Sequence, residues 1–212
     1  MMEWGEGPGV LGVHGWNSRG LRFSHLIKPL LDSGYRVVVF DAPAHGRSSG
    51  SHLDLMQYAR AVSTIAERTG PFYGLLAHSF GAAASLLAFE RGLRVEKIVF
   101  LSALNGIQGP IRYLTHRAGM PENLAHSIQA CFEKRFKRNL ASLEAINLVP
   151  RLNLPPSLIC HDRHDPILPF CNAQDLARVW KDSRLLMTNG VGHQGILDDP
   201  EVVRQVVSFI TG

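Results

Sequence analysis

The sequence is poor in cysteine, and it has no stretch of about 18 consecutive apolar residues. Three widely spaced cysteines, Cys131, Cys160 and Cys171, cannot form a disulfide framework or a zinc-type cysteine pair. We therefore expect buried, inert thiols and a reducing compartment. Without a long apolar run we expect no membrane span. The acidic residues Glu3 and Glu6, with no apolar stretch directly behind them, are unlike a signal peptide, which predicts a cytoplasmic protein.

The sequence also lacks a large excess of charge of one sign. Lysine and arginine number 22 against 18 acidic residues, a net charge of +4. The excess lies in one segment, because residues 106–151 contain seven basic and three acidic side chains and the remainder is balanced. This distribution gives no support to a general nucleic-acid-binding protein. We expect a small molecule as the partner.

Short apolar runs alternate with amphipathic helical patterns along most of the 212 residues. The runs lack polar alternation, which is typical of parallel strands buried on both faces. Their alternation with helices predicts an α/β fold, a doubly wound, mostly parallel sheet of about six strands. The predicted strands are residues 10–13, 36–40, 72–77, 97–101, 157–160 and 184–188. The predicted helices are residues 21–31, 53–68, 82–91, 173–180 and 200–210.

One segment, residues 106–155, breaks this alternation and contains no convincing strand. An apolar residue recurs there every four positions, which predicts one apolar stripe on a helix. The stripe consists of Leu124, Ile128, Phe132, Phe136 and Leu140. Four basic residues lie off the stripe: Lys134, Arg135, Lys137 and Arg138. We interpret residues 106–155 as a helical cap inserted into a core domain of residues 1–105 and 156–212.

The cap stripe has two interpretations. It covers the active site, with Phe132 and Phe136 binding substrate and the basic side chains facing solvent, or it packs on the sheet as ordinary core. Leaving the stripe exposed would be unfavourable, because a fully buried Phe or Leu contributes about 1.5–3 kcal/mol. We expect the first arrangement.

A serine lies between a predicted strand and a predicted helix, in the motif Ala77-His78-Ser79-Phe80-Gly81. A serine on such a tight turn has a strained backbone and an exposed hydroxyl, and the residues two before and two after must be small. The helix that follows directs its partly positive N-terminus at any anion formed there. The motif therefore predicts a nucleophilic serine at position 79.

With further spaced motifs, the sequence from about residue 7 onward resembles the α/β-hydrolase family. His14-Gly15-Trp16 resembles the family's oxyanion loop, and residues 41–48 resemble its Asp-x-Pro-Gly-His-Gly-x-Ser loop, with alanine at position 44 in place of a glycine. Residues 165–169 and 192–193 resemble the acid and histidine loops. The order of serine, aspartate and histidine along the chain is that of this family.

The resemblance implies a catalytic triad of Ser79 as nucleophile, His193 as base and Asp165 as acid. A serine needs a base to take its proton, and the base needs an acid to fix its tautomer. The resemblance also implies that the amides of Trp16 and Phe80 form the oxyanion hole.

Several other residues have alternative interpretations. Asp162 follows the same strand as Asp165 and is the alternative acid, although we expect it to hydrogen-bond its own loop. Residues 161–164 contain two histidines but no third or fourth ligand nearby, so we expect no metal and no cofactor. Three further histidines are expected to pack against or brace loops: His14, His45 and His78.

One departure from the family is structural. About nine residues precede Val10 where the family usually has two further strands, so we expect the sheet to lack most of these strands, apart from a stub at Met2–Trp4. Residues 36–40 would then form a sheet edge, which favours aggregation or a homodimer unless the edge is covered.

The function implied is hydrolysis of a carboxylic ester of a small, largely apolar substrate through an acyl-enzyme. Hydrolysis of a C–C bond or opening of a lactone by the same triad remains an alternative. A non-catalytic small-molecule receptor on the same fold is another, since a fold alone does not establish a function.

Overall fold

The computed structural model describes residues 1–212 and contains one seven-stranded sheet in the order β1-β3-β2-β4-β5-β6-β7. Strands β2 to β7 are parallel, which confirms the predicted doubly wound, mostly parallel sheet. The strands are β1 (Met2–Trp4), β2 (Gly9–Val13), β3 (Arg36–Val39), β4 (Phe72–His78), β5 (Lys97–Leu101), β6 (Ser157–Asp162) and β7 (Ser183–Thr188).

The short strand β1 covers the edge that the sequence left open. It pairs antiparallel with β3, with Met2 opposite Val39 and Trp4 opposite Val37. The expectation that residues 36–40 form the sheet edge is therefore wrong, because three residues are enough to occupy the hydrogen-bonding side of β3. A homodimer remains a prediction, but an open edge at β3 no longer supports it, because β1 covers that edge.

The helices flank both faces of the sheet. They are α1 (Ser24–Asp32), α2 (Leu55–Thr69), α3 (Phe80–Glu90), α4 (Gln108–Arg117), α5 (Glu122–Phe136), α6 (Ala145–Leu148), α7 (Cys171–Val179), α8 (Gly192–Gly195) and α9 (Pro200–Thr211). The predicted helix 21–31 is divided into a 3-10 turn at Gly20–Phe23 and α1. None of the helices has both the length and the apolar character that crossing a membrane requires.

Two apolar clusters form the core, one on each face of the sheet. Along β4, Leu75 and Ala77 belong to the cluster that includes α2 and α3, whereas Leu76 belongs to the cluster with α1 and α9. Neighbouring residues of a strand point to opposite faces, so both sets must be apolar when both faces are covered. This explains why the strands read as continuous apolar runs.

Residues 106–155, called the cap segment below, contain helices and 3-10 turns and no strand. Phe132 and Phe136 are half-buried and pack against the larger cluster, with ring centroids 5.5 Å apart. The other end of the stripe is exposed to solvent, since the exposed fraction of Leu124 is 37%. The predicted stripe is also not one continuous helix. Helix α5 ends at Phe136, Lys137 adopts a left-handed conformation with φ of 53°, and Leu140 is buried in a 3-10 turn.

Of the four basic residues off the stripe, Arg138 is partly buried, which corrects the sequence-based expectation for this residue. Arg135 is exposed but donates to Asp54 at 3.0 Å, and Arg138 forms an ion pair with Glu90 of α3. Among these four, Lys134 and Lys137 are exposed without a partner. Two of the four cations therefore attach the cap segment to the core helices, where acidic side chains lie within reach.

The cysteines differ from one another in exposure. Cys160 is buried in β6, and burial raises its pKa to about 12, as expected of an inert thiol. Cys131 and Cys171 are exposed, so the prediction that all three are buried is wrong for these two. Cys131 lies on the outward side of α5, and Cys171 is the first residue of α7.

Candidate active site

Ser79 occupies the turn between β4 and α3 with φ of 52° and ψ of −119°. This region is favourable for glycine and strained for serine. The turn is held from β5, since the Ser79 amide donates to the carbonyl of Leu101 at 3.0 Å and the Ser79 carbonyl accepts from the amide of Leu104 at 3.2 Å. A side chain at Gly81 would bring its Cβ into a clash with the carbonyl oxygen of Val13. The tight turn therefore requires glycine at position 81.

The structure brings Ser79, His193 and Asp165 together. Nε2 of His193 lies 3.1 Å from Oγ of Ser79, and Nδ1 lies 2.7 Å from Oδ2 of Asp165. The side chain of His193 is 6% exposed and that of Asp165 is fully buried. Ser79 and Asp165 lie in loops and His193 lies in the short helix α8, all after the carboxyl ends of strands, which is where ligands bind in folds of this kind.

The carboxylate of Asp165 is fixed on both of its oxygens. Oδ1 accepts from the amides of Ile167 and Leu168 at 2.8 and 2.9 Å, while Oδ2 faces His193. Burial acts to raise the pKa of the Asp165 carboxyl, but the hydrogen bonds from His193, Leu168 and Ile167 outweigh it and lower the pKa. Asp165 is consequently ionised at neutral pH, so it acts towards the imidazole of His193 as a hydrogen-bond acceptor and not as a donor.

Asp162 does not contact His193. Its Oδ1 accepts from the amide of His164 at 2.9 Å, which is the expected bond to its own loop. Its Oδ2 accepts from Thr188 Oγ1 at 2.8 Å and from the Val191 amide at 3.0 Å. Burial acts to raise the pKa of Asp162, and these hydrogen bonds lower it below its usual value. Asp162 therefore connects the loop of Asp165 to the loop of His193.

The two predicted oxyanion donors are neighbours. Phe80 is the first residue of α3, where an amide has no partner within the helix, and the amide of Trp16 has no hydrogen-bond acceptor in the protein. The rings of Trp16 and Phe80 meet edge to face at 5.4 Å. A Cβ on Gly15 would lie 3.1 Å from Cβ of Ser79, so the loop that contains Trp16 packs directly against the serine.

The other histidines of the motifs brace loops, as the sequence predicted. Nε2 of His14 accepts from the Ala42 amide at 2.9 Å, and Nε2 of His45 accepts from the Asn17 amide at 3.1 Å. Both bonds connect residues 14–17 to residues 41–48. His78 is buried and its ring packs against that of His193.

Tyr58 is a supporting residue that sequence reasoning missed. It is fully buried in α2, and its hydroxyl donates to the carbonyl of His14 at 2.7 Å. Burial raises its pKa well above the ordinary value, so the hydroxyl remains a donor. In the sequence Tyr58 is only one apolar position of an amphipathic helix, and its partner lies 44 positions away. Periodicity alone contains no signal for such a bond.

The histidine-rich segment 161–164 is part of the scaffold. Nε2 of His161 lies 3.1 Å from the carbonyl oxygen of Leu168, to which it donates, and 3.5 Å from Oδ2 of Asp165. The structure contains no group of three or more histidine, cysteine or acidic side chains that could hold a metal ion.

Comparison with known sequences gives a family match over most of the chain. The model of the alpha/beta hydrolase family matches residues 10–206. Over 115 residues, half of this chain, the sequence is 33% identical to 2-hydroxy-6-oxononadienedioate/2-hydroxy-6-oxononatrienedioate hydrolase of Klebsiella pneumoniae. Over 47 residues, 22% of this chain, it is 36% identical to a non-heme chloroperoxidase of Kitasatospora aureofaciens. The matched segments span 36% and 17% of these relatives' own lengths.

Solved structures resemble the whole chain. An esterase from Exiguobacterium antarcticum superposes with a TM-score of 0.77 at 20% identity, over 100% of this chain and 94% of the other. A monoacylglycerol lipase from Paleococcus ferrophilus gives a TM-score of 0.75 at 21% identity, over 99% and 97% of the two chains. At these identities the likeness establishes a shared fold alone.

Proposed function

The chain belongs to the alpha/beta hydrolase family, and on that basis we propose that it is a serine hydrolase that cleaves a carboxylic ester through an acyl-enzyme on Ser79. The observation that carries the proposal is the continuous contact of 3.1 Å from Ser79 Oγ to His193 and 2.7 Å from His193 to Asp165. A nucleophile, a base and an orienting acid in hydrogen-bond contact are the requirements of acyl transfer by serine.

The mechanism follows from the hydrogen bonds. His193 Nε2 takes the hydroxyl proton as Ser79 Oγ attacks the acyl carbon, and Asp165 stabilises the imidazolium through Nδ1. His193 then gives this proton to the departing alkoxide, which leaves an ester on Ser79. Water next loses a proton to the same nitrogen and attacks the acyl carbon, and the proton returns to Ser79 as the carboxylic acid departs.

The negative charge of each tetrahedral intermediate needs donors that are already in position. We assign this role to the amides of Phe80 and Trp16, which have no other acceptor in the protein. Loss of one such donor typically costs a few kcal/mol of transition-state stabilisation.

The acyl group requires an apolar surface, and the cap segment supplies one. Phe132 and Phe136 are half-buried, and we propose that they contact the acyl chain. A small ester with an apolar acyl part is the substrate class that fits this surface.

A second candidate reaction uses the same triad. The match to a hydrolase named for 2-hydroxy-6-oxononadienedioate favours hydrolysis of a C–C bond in an oxo acid as the alternative to an ester. The same triad and fold are also compatible with the opening of a lactone or with binding of a small molecule without turnover.

The test combines covalent labelling with turnover. An organophosphonate should react with Ser79, because an activated serine attacks phosphorus as it attacks an acyl carbon. Mass spectrometry after digestion should place the adduct on the peptide that contains Ser79, and the Ser79→Ala variant should neither react nor hydrolyse 4-nitrophenyl esters of increasing chain length.

The matched control is Ser85→Ala, since Ser85 lies in α3, six residues after Ser79, and its hydroxyl donates to the carbonyl of Gly81, one helical turn earlier. The Ser85→Ala variant should react with the organophosphonate and hydrolyse the esters as the wild type does. Labelling of active protein at another residue would contradict the assignment of Ser79. Labelling without ester turnover would favour the C–C hydrolase or the receptor.

A further inference from the structure

A cavity of about 630 Å³ opens beside the candidate active site. It lies between the loop that contains Trp16 and the short helix that contains His193, whose next residue, Gln194, contributes to the wall. Trp16 is one of the two proposed oxyanion donors and Gln194 follows His193, so a substituent of a molecule bound at Ser79 lies within reach of this cavity. Only three of its 12 lining residues are hydrophobic, in contrast to the cap stripe.

The cavity wall contains two arginines and no acidic residue. Arg22 is already paired, since it donates to both carboxylate oxygens of Asp198, at 2.9 and 2.7 Å, and to the carbonyl of Gln194 at 2.8 Å. The side chain of Arg19 forms no hydrogen bond or ion pair within the protein. One positive charge in the cavity wall is therefore uncompensated.

The side chains next to Arg19 are also free. The amide side chain of Asn17 and the hydroxyl of Ser18 line the cavity and have no hydrogen-bond partner in the protein. The two lining histidines differ in this respect, because both ring nitrogens of His45 and of His52 already have partners. Three consecutive residues thus present polar side chains without a partner in the protein to one cavity, two of them exposed, and each can donate a hydrogen bond.

The backbone of these three residues is fixed before any ligand arrives. The Asn17 amide donates to His45 at 3.1 Å, and the Gly20 amide donates to Oδ1 of Asp41 at 2.8 Å. A Cβ on Gly20 would lie 2.9 Å from the carbonyl oxygen of Phe40, so the chain passes close to the end of β3 at this point. Anchored at both ends, the backbone of this segment has little conformational entropy left to lose when a ligand binds to its side chains.

We propose that this cavity is a subsite for a carboxylate that the substrate carries on its alcohol side, with Arg19 as the principal contact and Asn17 and Ser18 as additional donors. The planar guanidinium forms two parallel hydrogen bonds with a carboxylate, which a neutral group does not match. The inference rests on the proposed function and refines it. The acyl part of the substrate is apolar and faces the cap segment, whereas the alcohol part is anionic.

The experiment uses a matched pair of substrates, 4-acetoxybenzoate and 4-acetoxybenzamide, which share the acetyl group and differ in the charge of the para substituent. Arg19→Gln should lower kcat/KM about ten-fold for the benzoate, as expected for loss of a charged hydrogen bond, and leave the benzamide within two-fold. Arg19→Lys should retain part of the preference. For each substrate, kcat/KM of the variant is divided by kcat/KM of the wild type. This ratio removes the difference in intrinsic reactivity between the two esters.

The matched control is Arg47→Gln, which removes the same charge from an exposed side chain near the cavity but outside its wall. It should affect both substrates equally. Equal losses on the two substrates with Arg19→Gln, or the same selective loss with Arg47→Gln, would overturn the subsite. In the second case a general positive potential would account for the preference.

Failure of the subsite and failure of the proposed function give different results. If the wild type hydrolyses neither these two esters nor the 4-nitrophenyl esters, the proposed function fails, and the subsite is tested by binding alone. Titration of the Ser79→Ala protein with 4-acetoxybenzoate, followed by NMR, should then give a Kd that rises about ten-fold with Arg19→Gln. A Kd that does not change would overturn the subsite.

Discussion

His78, the residue before the proposed nucleophile, holds the backbone of the proposed base. Nε2 of His78 lies 3.0 Å from the carbonyl oxygen of His193, and the two rings are 4.9 Å apart. Because a carbonyl only accepts, His78 carries its proton on Nε2. Burial, reinforced by the neighbouring His193, lowers the pKa of His78 to about 3. A protonated His78 would place a second charge beside the imidazolium that forms during catalysis.

The lowered pKa of His78 predicts that the protein loses stability as the pH falls. The unfolded chain takes up a proton on this histidine below about pH 6.5, whereas the folded protein does so only near pH 3, so stability rises with pH across this window. His78→Gln keeps a donor for the carbonyl but does not titrate. Its free energy of unfolding, measured with urea at pH 4 to 7, should depend less steeply on pH, by up to about 1.4 kcal/mol per pH unit. Parallel pH dependences of the two proteins would contradict this account.

The two buried aspartates should respond differently to the loss of charge. Asp165→Asn leaves an amide facing Nδ1 of His193, which favours the wrong tautomer, and kcat should fall roughly 10⁴-fold, as in the comparable change in a serine protease. Asp162→Asn places an NH₂ group against an amide donor, so it should lower the free energy of unfolding by about 1–3 kcal/mol and affect kcat far less. Steady-state kinetics and urea unfolding of both variants check this, and the reverse order of kcat would make Asp162 the acid.

The backbone conformation of Ser79 predicts that glycine at this position gives a more stable protein than alanine does. Its φ of 52° and ψ of −119° suit glycine and strain every other residue. The free energy of unfolding of Ser79→Gly should therefore exceed that of Ser79→Ala by about 1 kcal/mol, although glycine has more freedom in the unfolded chain. Both variants lack the hydroxyl, so differential scanning calorimetry measures the relief of strain minus the cost of glycine's greater freedom in the unfolded chain. A Tm for Ser79→Gly that is no higher than that for Ser79→Ala would contradict the prediction.

The cap segment should determine the preference for acyl length. Phe132→Ala and Phe136→Ala remove apolar surface that we propose contacts the acyl chain, so kcat/KM should fall about ten-fold for a 4-nitrophenyl octanoate and change little for the acetate. Leu124→Ala is the control on the same stripe, since Leu124 is 37% exposed at the other end of α5. A similar selective loss in the control would mean that the whole stripe, not its buried part, faces the substrate.

Much of the candidate site was predictable because short motifs fix local geometry. The strand before Ser79, the small residues around it and the order of Ser79, Asp165 and His193 are all visible in the sequence. The sequence did not reveal that Arg135 and Arg138 pair with acids of α2 and α3, or that Cys131 and Cys171 are exposed. These depend on how the cap segment and α7 pack on the sheet, which periodicity along one helix does not determine. The sequence also contains no indication that the donors at positions 17–19 line one cavity, because separate segments of the chain form its wall.

The carboxylate of Asp54 performs two tasks with two different oxygens. Oδ1 accepts from the Gln57 amide at 2.7 Å and closes the first turn of α2, whereas Oδ2 accepts from Arg135 of the cap segment. Release of Arg135 therefore leaves the capped helix intact, together with Tyr58 and the loop that it supports. The Arg135 side chain is 53% exposed, and an ion pair of this kind contributes at most about 1 kcal/mol and weakens with salt. A higher ionic strength should therefore weaken this one attachment of the cap segment, while the hydrogen bond that caps α2 remains.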